Sequence, residues 1–243
     1  MKKKLEKLFV SFMLLIPSVT CMAQNRWSVK PMVGGVLSTY VGEDTKGLKQ
    51  RMGFTAGAEV GYSLSPKFGL SLGLAYTQQG CVLDKDRRPY VKGVSDITDA
   101  NEDFYLRTKY VSVPLLAEFH IANGLALKAG LQANFLHHAT ETYTVLINRN
   151  QNAAQGESFK EGEWYSEERY DNWKPKMKSV DITIPIGLSY EYAGVVVDAR
   201  YHIGLSHPLS GLDDFHGHFY EGKTPLKART SMLTLTVGYK FEL

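Results

Sequence analysis

The chain has 243 residues, 28 of them basic and 25 acidic, which gives a formal net charge of +3 with neutral histidines. Four lysines lie within the first seven residues, so the excess charge is local and no basic surface for nucleic acid is predicted. Of the two cysteines only Cys81 lies beyond the N-terminal segment, which excludes an intramolecular disulfide once that segment is removed.

Residues 1–23 are predicted to be a cleaved signal peptide. Lysines precede an apolar run from Leu8 to Ile16, and small residues around Ala23 form a plausible cleavage site. The run is too short for a membrane helix, which needs about 20 residues. Cleavage takes four lysines from the 28 basic residues and one glutamate from the 25 acidic residues, leaving 24 of each. Lipid attachment at Cys21 is the less favoured alternative.

Residues 24–243 are predicted to form one all-β domain. Eight segments alternate large apolar residues with small or polar ones, as a strand with two different faces does. In the clearest segment, residues 68–77, the large residues are Phe68, Leu70, Leu72, Leu74 and Tyr76. The predicted strands span residues 27–39, 51–63, 68–77, 109–121, 125–138, 179–192, 195–206 and 230–243.

The predicted connections differ in length. Tight turns containing Pro or Gly lie at residues 64–67, 122–124 and 193–194. Long connections cover residues 40–50, 78–108, 139–178 and 207–229. Short turns at one rim and long loops at the other are typical of outer-membrane barrels, whose short turns are periplasmic. We therefore predict an eight-stranded antiparallel up-and-down transmembrane β-barrel with long extracellular loops.

The alternation alone does not decide which face is inside, because a soluble carrier barrel would bury the apolar face. Three features favour an apolar exterior in contact with lipid. Aromatic residues cluster near strand ends on the apolar face, Gly, Ser and Thr crowd the other face, and that other face carries both signs of charge. If Leu70, Leu72 and Leu74 packed inside the barrel, the membrane assignment would be wrong.

Two prolines lie inside predicted strands in similar contexts. Pro114 follows Val-Ser-Val, and Pro185 follows Ile-Thr-Ile. Proline has no N–H to donate to the neighbouring strand. We predict a bulge or locally broken pairing at each proline.

Charged residues on the polar face are interpreted as an interior salt-bridge network. Asp198, Arg200 and His202 alternate along one strand and could instead form a charge relay, but a narrow lumen must pair its buried charges. The partners offered by adjacent strands are Asp181, Glu191, Lys240 and Glu242. The predicted network comprises Lys30, Glu59, Glu118, His120, Lys128, Asp181, Glu191, Asp198, Arg200, His202 and Lys240.

The last long loop carries the only pattern that suggests a metal. Its weak candidate ligands are Asp213, Asp214, His216 and His218. Zinc sites need three or four converging ligands, and adjacency along the chain supplies only part of such a set. We therefore expect no bound metal and no cofactor.

The longest loop, residues 139–178, mixes acidic residues with aromatic ones. The aromatic residues are Trp164, Tyr165, Tyr170 and Trp173. Exposed aromatics amid charge are common at binding hot spots. The alternative is an ordered flap that packs its aromatics over the barrel mouth.

Several short motifs resemble those of the PorT-like outer-membrane β-barrel family of Bacteroidetes. They lie at residues 30–35, 110–116, 127–130, 197–206 and 237–241. The resemblance implies an eight-stranded barrel of the OmpA and OmpX shape, and it implies that a role in protein secretion is one option for this chain. The C-terminus departs slightly from the usual barrel-assembly signal, which tends to end on an aromatic residue, because Glu242 and Leu243 follow Phe241. Leu243 stays in phase with Phe241 and Tyr239, so we expect the signal to remain readable.

We predict a non-enzymatic integral outer-membrane barrel with a structural, binding or secretion-accessory role. Its lumen should be plugged by side chains, because eight strands leave no wide channel. Expected partners are outer-membrane lipid, the barrel-assembly machinery during insertion, and a protein or glycan ligand at the extracellular loops. The alternative is a surface ligand- or host-binding protein acting through loops 139–178 and 207–229. A hydrolase or a metal-binding protein is less favoured.

Overall fold

A computed structural model describes residues 26–42, 45, 48–83, 90–91, 97–149, 164–209 and 227–243. These residues contain eleven strands in one antiparallel sheet. The strands are β1 (Trp27–Gly42), β2 (Leu48–Ser63), β3 (Phe68–Leu83), β4 (Tyr90–Val91), β5 (Ile97–Ala122), β6 (Leu125–Arg149), β7 (Trp164–Asn172), β8 (Val180–Tyr192), β9 (Val195–Gly204), β10 (Ala228–Tyr239) and β11 (Phe241–Glu242). A 3-10 turn spans Lys174–Lys176. In this part of the chain no helix has the length and apolarity to cross a membrane.

Eight of the strands close into a barrel in the order β1, β2, β3, β5, β6, β8, β9 and β10. Closure occurs at β1, where Val33 is paired with Ala56 on one side and with Val237 on the other. The barrel wall therefore has no free edge. The short strands β4, β7 and β11 lengthen the wall by pairing with β5, β6 and β1. The predicted eight-stranded up-and-down barrel is confirmed.

The tight turns and both ends of the barrel domain lie at one rim, which is the periplasmic rim of such a barrel. Gly124 and Gly194 have φ of +78° and +81°, the left-handed conformation that two-residue hairpin turns require. Gly194 also approaches the ring of Tyr239 so closely that a Cβ there would lie 2.8 Å from it. These glycines allow β5 to turn directly into β6, and β8 into β9.

At the extracellular rim the predicted loops 78–108 and 139–178 are wrong in part, because much of each is strand. β5 begins at Ile97 and β6 ends at Arg149, and their ends are paired with each other. The register shifts between Asn101 and Phe104 and between Lys109 and Tyr110. At the second shift the extra residue is in β6, where His137 and His138 are both exposed and the two-residue period is interrupted. Along β5 buried residues still recur at every second position from Leu106 to Leu116.

Each of the two prolines faces a gap in the pairing on one side only. The β3–β5 ladder omits Pro114, although Pro114 is paired with Gln132 of β6. The β6–β8 ladder omits Pro185, which is paired with His202 of β9. The register is the same on both sides of each gap. The predicted locally broken pairing is confirmed, and it occurs without a bulge.

The apolar face lies outside. Leu70, Leu72 and Leu74 are 42, 54 and 59 % exposed. Aromatic rings contact each other near the periplasmic rim, where the Trp27 and Tyr62 centroids are 4.7 Å apart. A soluble carrier barrel would bury such leucines. The predicted orientation, with the oily face toward lipid, is confirmed.

Candidate functional site: the barrel lumen and its extracellular mouth

The lumen contains three layers of inward side chains. The layer nearest the periplasm, here the charge cluster, consists of Lys30, Glu59, Glu118, Lys128, Asp198 and Arg200. The middle layer, here the polar layer, consists of Thr55, Thr77, Ser112, Gln132, Asn134 and Thr183. The extracellular layer, here the mouth core, consists of Tyr40, Cys81, Leu106, Tyr110, Leu136, Ala139, Trp173, Met177, Leu209 and Ala228.

Arg200 lies at the centre of the charge cluster. Its Nη1 donates to Glu59 Oε1 and its Nη2 donates to Asp198 Oδ2, both at 2.6 Å. A guanidinium holds two carboxylates well because its donors form a rigid planar fork. Both carboxylates and Arg200 itself are at most 5 % exposed.

Two lysines complete the cluster from opposite sides. Lys30 Nζ lies 2.7 Å from Glu59 and 3.6 Å from Asp198. Lys128 Nζ lies 2.9 Å from Glu118 and 3.3 Å from Asp198. The cluster therefore joins three cations to three carboxylates, contributed by β1, β2, β5, β6 and β9. Such a balance is what makes buried charge tolerable in a space with little water.

The other predicted charges lie outside the cluster. Lys240 Nζ pairs with Glu191 at 3.1 Å, and both side chains are partly exposed. Asp181 accepts hydrogen bonds from the hydroxyls of Ser206 and Thr230.

The two histidines of the predicted network differ in their surroundings. His202 Nε2 lies 3.2 Å from the Thr234 hydroxyl. His120 lines the periplasmic end of the lumen.

The sequence offered the wrong partners for the strand that carries Asp198 and Arg200. The predicted partners from adjacent strands are Asp181, Glu191, Lys240 and Glu242, whereas the contacts come from Glu59, Lys30 and Lys128. Glu59 lies on β2 and Arg200 on β9, which are not adjacent in the sheet. Long side chains reach across a narrow lumen, so distance along the sheet does not limit pairing.

The polar layer is a hydrogen-bonded row that crosses five strands. The hydroxyls of Thr55 and Thr77 lie 3.1 Å apart, and Ser112 Oγ donates to Asn134 Oδ1 at 2.7 Å. Gln132 Nε2 donates to the same oxygen at 2.7 Å. Buried polar groups that satisfy one another in this way fill the lumen without unpaired donors or acceptors in the row.

The mouth core is built by an interruption between β7 and β8. The chain leaves its pairing with β6 after Asn172 and resumes at Val180. The intervening residues place Trp173 and Met177 inside the mouth, where they are 2 % and 6 % exposed. A Trp ring buries a large area, so this insertion closes the extracellular end of the barrel.

The four aromatic residues predicted for binding therefore differ in position. Trp173 is buried and therefore not available to an external ligand, which corrects the binding interpretation for this residue. Its position fits the alternative, in which the aromatic residues of this loop pack over the barrel mouth. Tyr170 is 64 % exposed. Trp164 and Tyr165 lie on β7 opposite Asn148 and Ile147, and their side chains are outside the described part.

The candidate metal ligands Asp213, Asp214, His216 and His218 lie outside the described residues, as does the predicted signal peptide. Among the residues that are described, no three His, Cys, Asp or Glu side chains converge in a way that could hold a metal ion.

The described residues line two small cavities in the lumen. One, of about 50 Å³, lies at the periplasmic end beside the charge cluster. The other, of about 20 Å³, lies in the polar layer near Thr55, Pro114 and His202. A cavity of roughly 10–15 Å³ can hold one water, so these two cavities accommodate a few waters.

Sequence reasoning missed the mouth core. Its residues come from predicted loops or from the extracellular ends of predicted strands. One sequence signal indicates it: Leu106 and Tyr110 fall on the inward face of β5, in phase with the polar lumen residues Thr108 and Ser112. An apolar residue in phase with lumen residues indicates an interior that is apolar at that height.

A closed barrel with an oily exterior, aromatic rings at its rims and paired charges inside defines an integral outer-membrane β-barrel protein. The family model of the outer membrane protein beta-barrel domain matches residues 22–209. The chain belongs to this family, and the protein is located in the outer membrane.

Solved structures of other outer-membrane barrels resemble this one. The attachment invasion locus protein Ail of Yersinia pestis, solved with the heparin analogue sucrose octasulfate, is 17 % identical, with a TM-score of 0.42 over 89 % of this chain and 99 % of Ail. Neisserial surface protein A is 14 % identical, with a TM-score of 0.38 over 91 % of this chain and all of the other. Acinetobacter baumannii CarO2 is 14 % identical, with a TM-score of 0.39 over 88 % and 99 %. No curated protein matches the sequence significantly.

Proposed function

We propose that this protein is a non-enzymatic outer-membrane anchor with a closed lumen, whose extended extracellular strands form a binding surface. The observation that carries the proposal is the length of β5 and β6. These strands have 26 and 25 residues and remain paired out to Ile97 and Arg149. About 10 residues are enough to cross a bilayer. Much of each strand therefore extends beyond the membrane.

The extracellular extension is a sheet rather than a single hairpin. β4 pairs with β5, and β7 pairs with β6. β7 also carries Trp164, Tyr165 and the exposed Tyr170. Ordering so much backbone costs conformational entropy that membrane anchoring alone does not require. We take this as support for a surface that binds a protein or glycan.

The packing of the lumen supports binding rather than transport or catalysis. The charge cluster and the mouth core close the barrel at two heights, and the cavity described between them, in the polar layer, holds only about 20 Å³. Asp198 and Arg200 pair with each other, whereas His202 contacts the Thr234 hydroxyl on the neighbouring strand. This arrangement supports the salt-bridge network over the alternative of a charge relay along β9.

The test removes the extracellular extension without removing the mouth core. A variant in which a short Gly-Asn turn replaces residues 144–168 keeps Trp173 and Met177. Wild type and variant are compared on a glycan array and on immobilised serum and matrix proteins. We expect the variant to lose the binding that the wild type shows, while its heat-modifiable electrophoretic mobility is unchanged.

The control variant shortens the other long connection at residues 211–225. If only this control lost binding, the surface would be loop 207–229 and not the β5–β7 extension. Equal binding by all three proteins would contradict the proposal. So would large, stable conductance of the wild type in planar bilayers, because a closed lumen should conduct only at background.

We further infer that residues 1–23 direct export, that barrel-assembly machinery inserts the chain, and that the chain is related to the PorT-like barrels of Bacteroidetes. The short motifs at residues 110–116 and 197–206 support this. A secretion-accessory role is the second candidate function. Deleting the gene should leave the secreted proteins of the native host unchanged if the protein is a binding anchor, and should reduce them if it assists secretion.

A further inference from the structure

One wall of the barrel ends its apolar surface in a straight row. Val111 of β5 is paired with Phe135 of β6, which is paired with Val180 of β8. All three side chains are exposed on the outer surface. They form the extracellular limit of the outward apolar face on this wall, because the residues that follow on the same face are polar.

Basic side chains lie directly beyond that limit. The residues two positions further toward the extracellular end are Lys109, His137 and Lys178. His137 and Lys178 are exposed, and Lys109 is half-buried. Lys109 and His137 lie on β5 and β6, where residues two apart are on the same face about 7 Å from each other. Lys178 lies two residues before the start of β8 and is exposed. Basic side chains therefore follow the apolar row directly on its extracellular side, which is the side of the headgroups in an outer-membrane barrel.

Neighbouring residues enlarge this group. The register shift at Lys109 leaves His138 exposed beside His137. Arg107 is exposed two residues beyond Lys109, and Lys176 is exposed in the turn before β8. We call Arg107, Lys109, His137, His138, Lys176 and Lys178 the basic row.

The charge on this wall is of one sign among the side chains that the structure describes. At the extracellular end the described acidic side chains are Glu141 and Asp181, and both are buried. On the opposite wall the positions directly beyond Ile203 and Leu233 are Leu205 and Ser231, and the exposed basic residues Arg229 and Lys227 lie two and four positions beyond Ser231. The basic row therefore differs from the opposite wall in following the apolar surface directly.

We propose that the basic row binds the phosphate groups of a phosphorylated glycolipid in the outer leaflet. The apolar row contacts the acyl chains, and lysine and arginine side chains at the next height donate charge-assisted hydrogen bonds to phosphate oxygens. Basic residues at the headgroup level attract anionic lipids electrostatically, by about 1 kcal/mol for each Lys or Arg. The site fits a lipid better than a soluble phosphate, because half of it is apolar.

The experiment titrates the refolded mature protein in detergent micelles with fluorescent diphosphorylated lipid A. The test variant is Lys109→Gln/Lys178→Gln. The matched control, Lys227→Gln/Arg229→Gln, removes the same charge from exposed positions on the other wall. We expect the affinity of the test variant to fall roughly 10- to 30-fold and that of the control to change less than about twofold. Heat-modifiable mobility should be unchanged in both.

Several results would overturn the proposal. One is that the wild type does not bind lipid A. Others are equal affinity of the test variant and the wild type, or an equal loss in the control. Equal binding of dephosphorylated lipid A, or displacement of lipid A by excess inorganic phosphate, would show that phosphate on a lipid is not what is recognised.

Discussion

The two halves of the lumen close the barrel by different physical means. Near the periplasm the charge cluster joins three cations to three carboxylates, with Arg200 bridging two of them. Near the extracellular mouth the packing is apolar and aromatic, with Trp173 and Tyr110 among the largest buried side chains. The same alternating strands supply both halves, so the strand pattern does not dictate how the interior is filled.

The two halves should lose stability on substitution for different reasons. A buried ion cluster depends on balance, and removal of one member leaves an opposite charge without its partner in a dry space. An apolar core depends on volume, and removal of a ring leaves a cavity that the neighbours fill only in part. Substitutions in the two halves should therefore differ in how much they lower the free energy of unfolding and in which second substitution restores it.

The largest effect is expected from Arg200→Leu. This change leaves Glu59 and Asp198 buried with only the two lysines, and should lower the free energy of unfolding by about 3–5 kcal/mol. Urea unfolding of the protein in lipid vesicles measures it. Arg229→Leu, at an exposed position, is the control and should change stability by less than about 0.5 kcal/mol. Similar effects of the two substitutions would show that the cluster is not a balanced unit.

The next effect is expected from Trp173→Ala in the mouth core. Loss of this ring should destabilise the barrel by about 3 kcal/mol, because the surrounding strands cannot collapse into the space. Tyr170→Ala, at the exposed position nearby, is the control and should have little effect. Trp173→Phe should recover most of the loss, which a charge-based site would not show. If Trp173→Ala left the free energy of unfolding unchanged, packing of this ring would not be what closes the mouth.

A smaller effect is expected from Glu118→Gln at the edge of the charge cluster. The Glu118 side chain is 18 % exposed, so water compensates part of the lost attraction to Lys128. We expect a loss of about 1–2 kcal/mol in the same unfolding measurement. Combining it with Lys128→Met should cost less than the sum of the two single changes. Strict additivity would indicate that the two side chains do not interact.

The smallest effect is expected from Lys240→Gln. Its pair with Glu191 lies at the periplasmic opening, with both partners partly exposed. Such pairs contribute about 0–1 kcal/mol. The difference in unfolding free energy should shrink further at high salt, whereas the Arg200→Leu effect should hardly change. A large, salt-independent loss of unfolding free energy in Lys240→Gln would show that Lys240 belongs to the charge cluster.

The alternating residues of the barrel wall determined the class of protein. Leu70, Leu72 and Leu74 share a face because of strand geometry alone, and a face of that kind must meet lipid or a core. Tight turns with Gly124 and Gly194 set the strand order locally. These features need no knowledge of distant residues, so the sequence was enough to predict them.

Only the tertiary structure decided which residues meet inside and at the rim. Glu59 and Arg200 are 141 positions apart and on strands that are not neighbours, and nothing local pairs them. Trp173 enters the mouth because the chain leaves its ladder, and the basic row exists because register aligns Lys109 with His138 across a shift. Periodicity is a local property of a chain, so the strands of the barrel wall could be predicted from the sequence. The contacts between lumen side chains depend on how the barrel closes, so they could not.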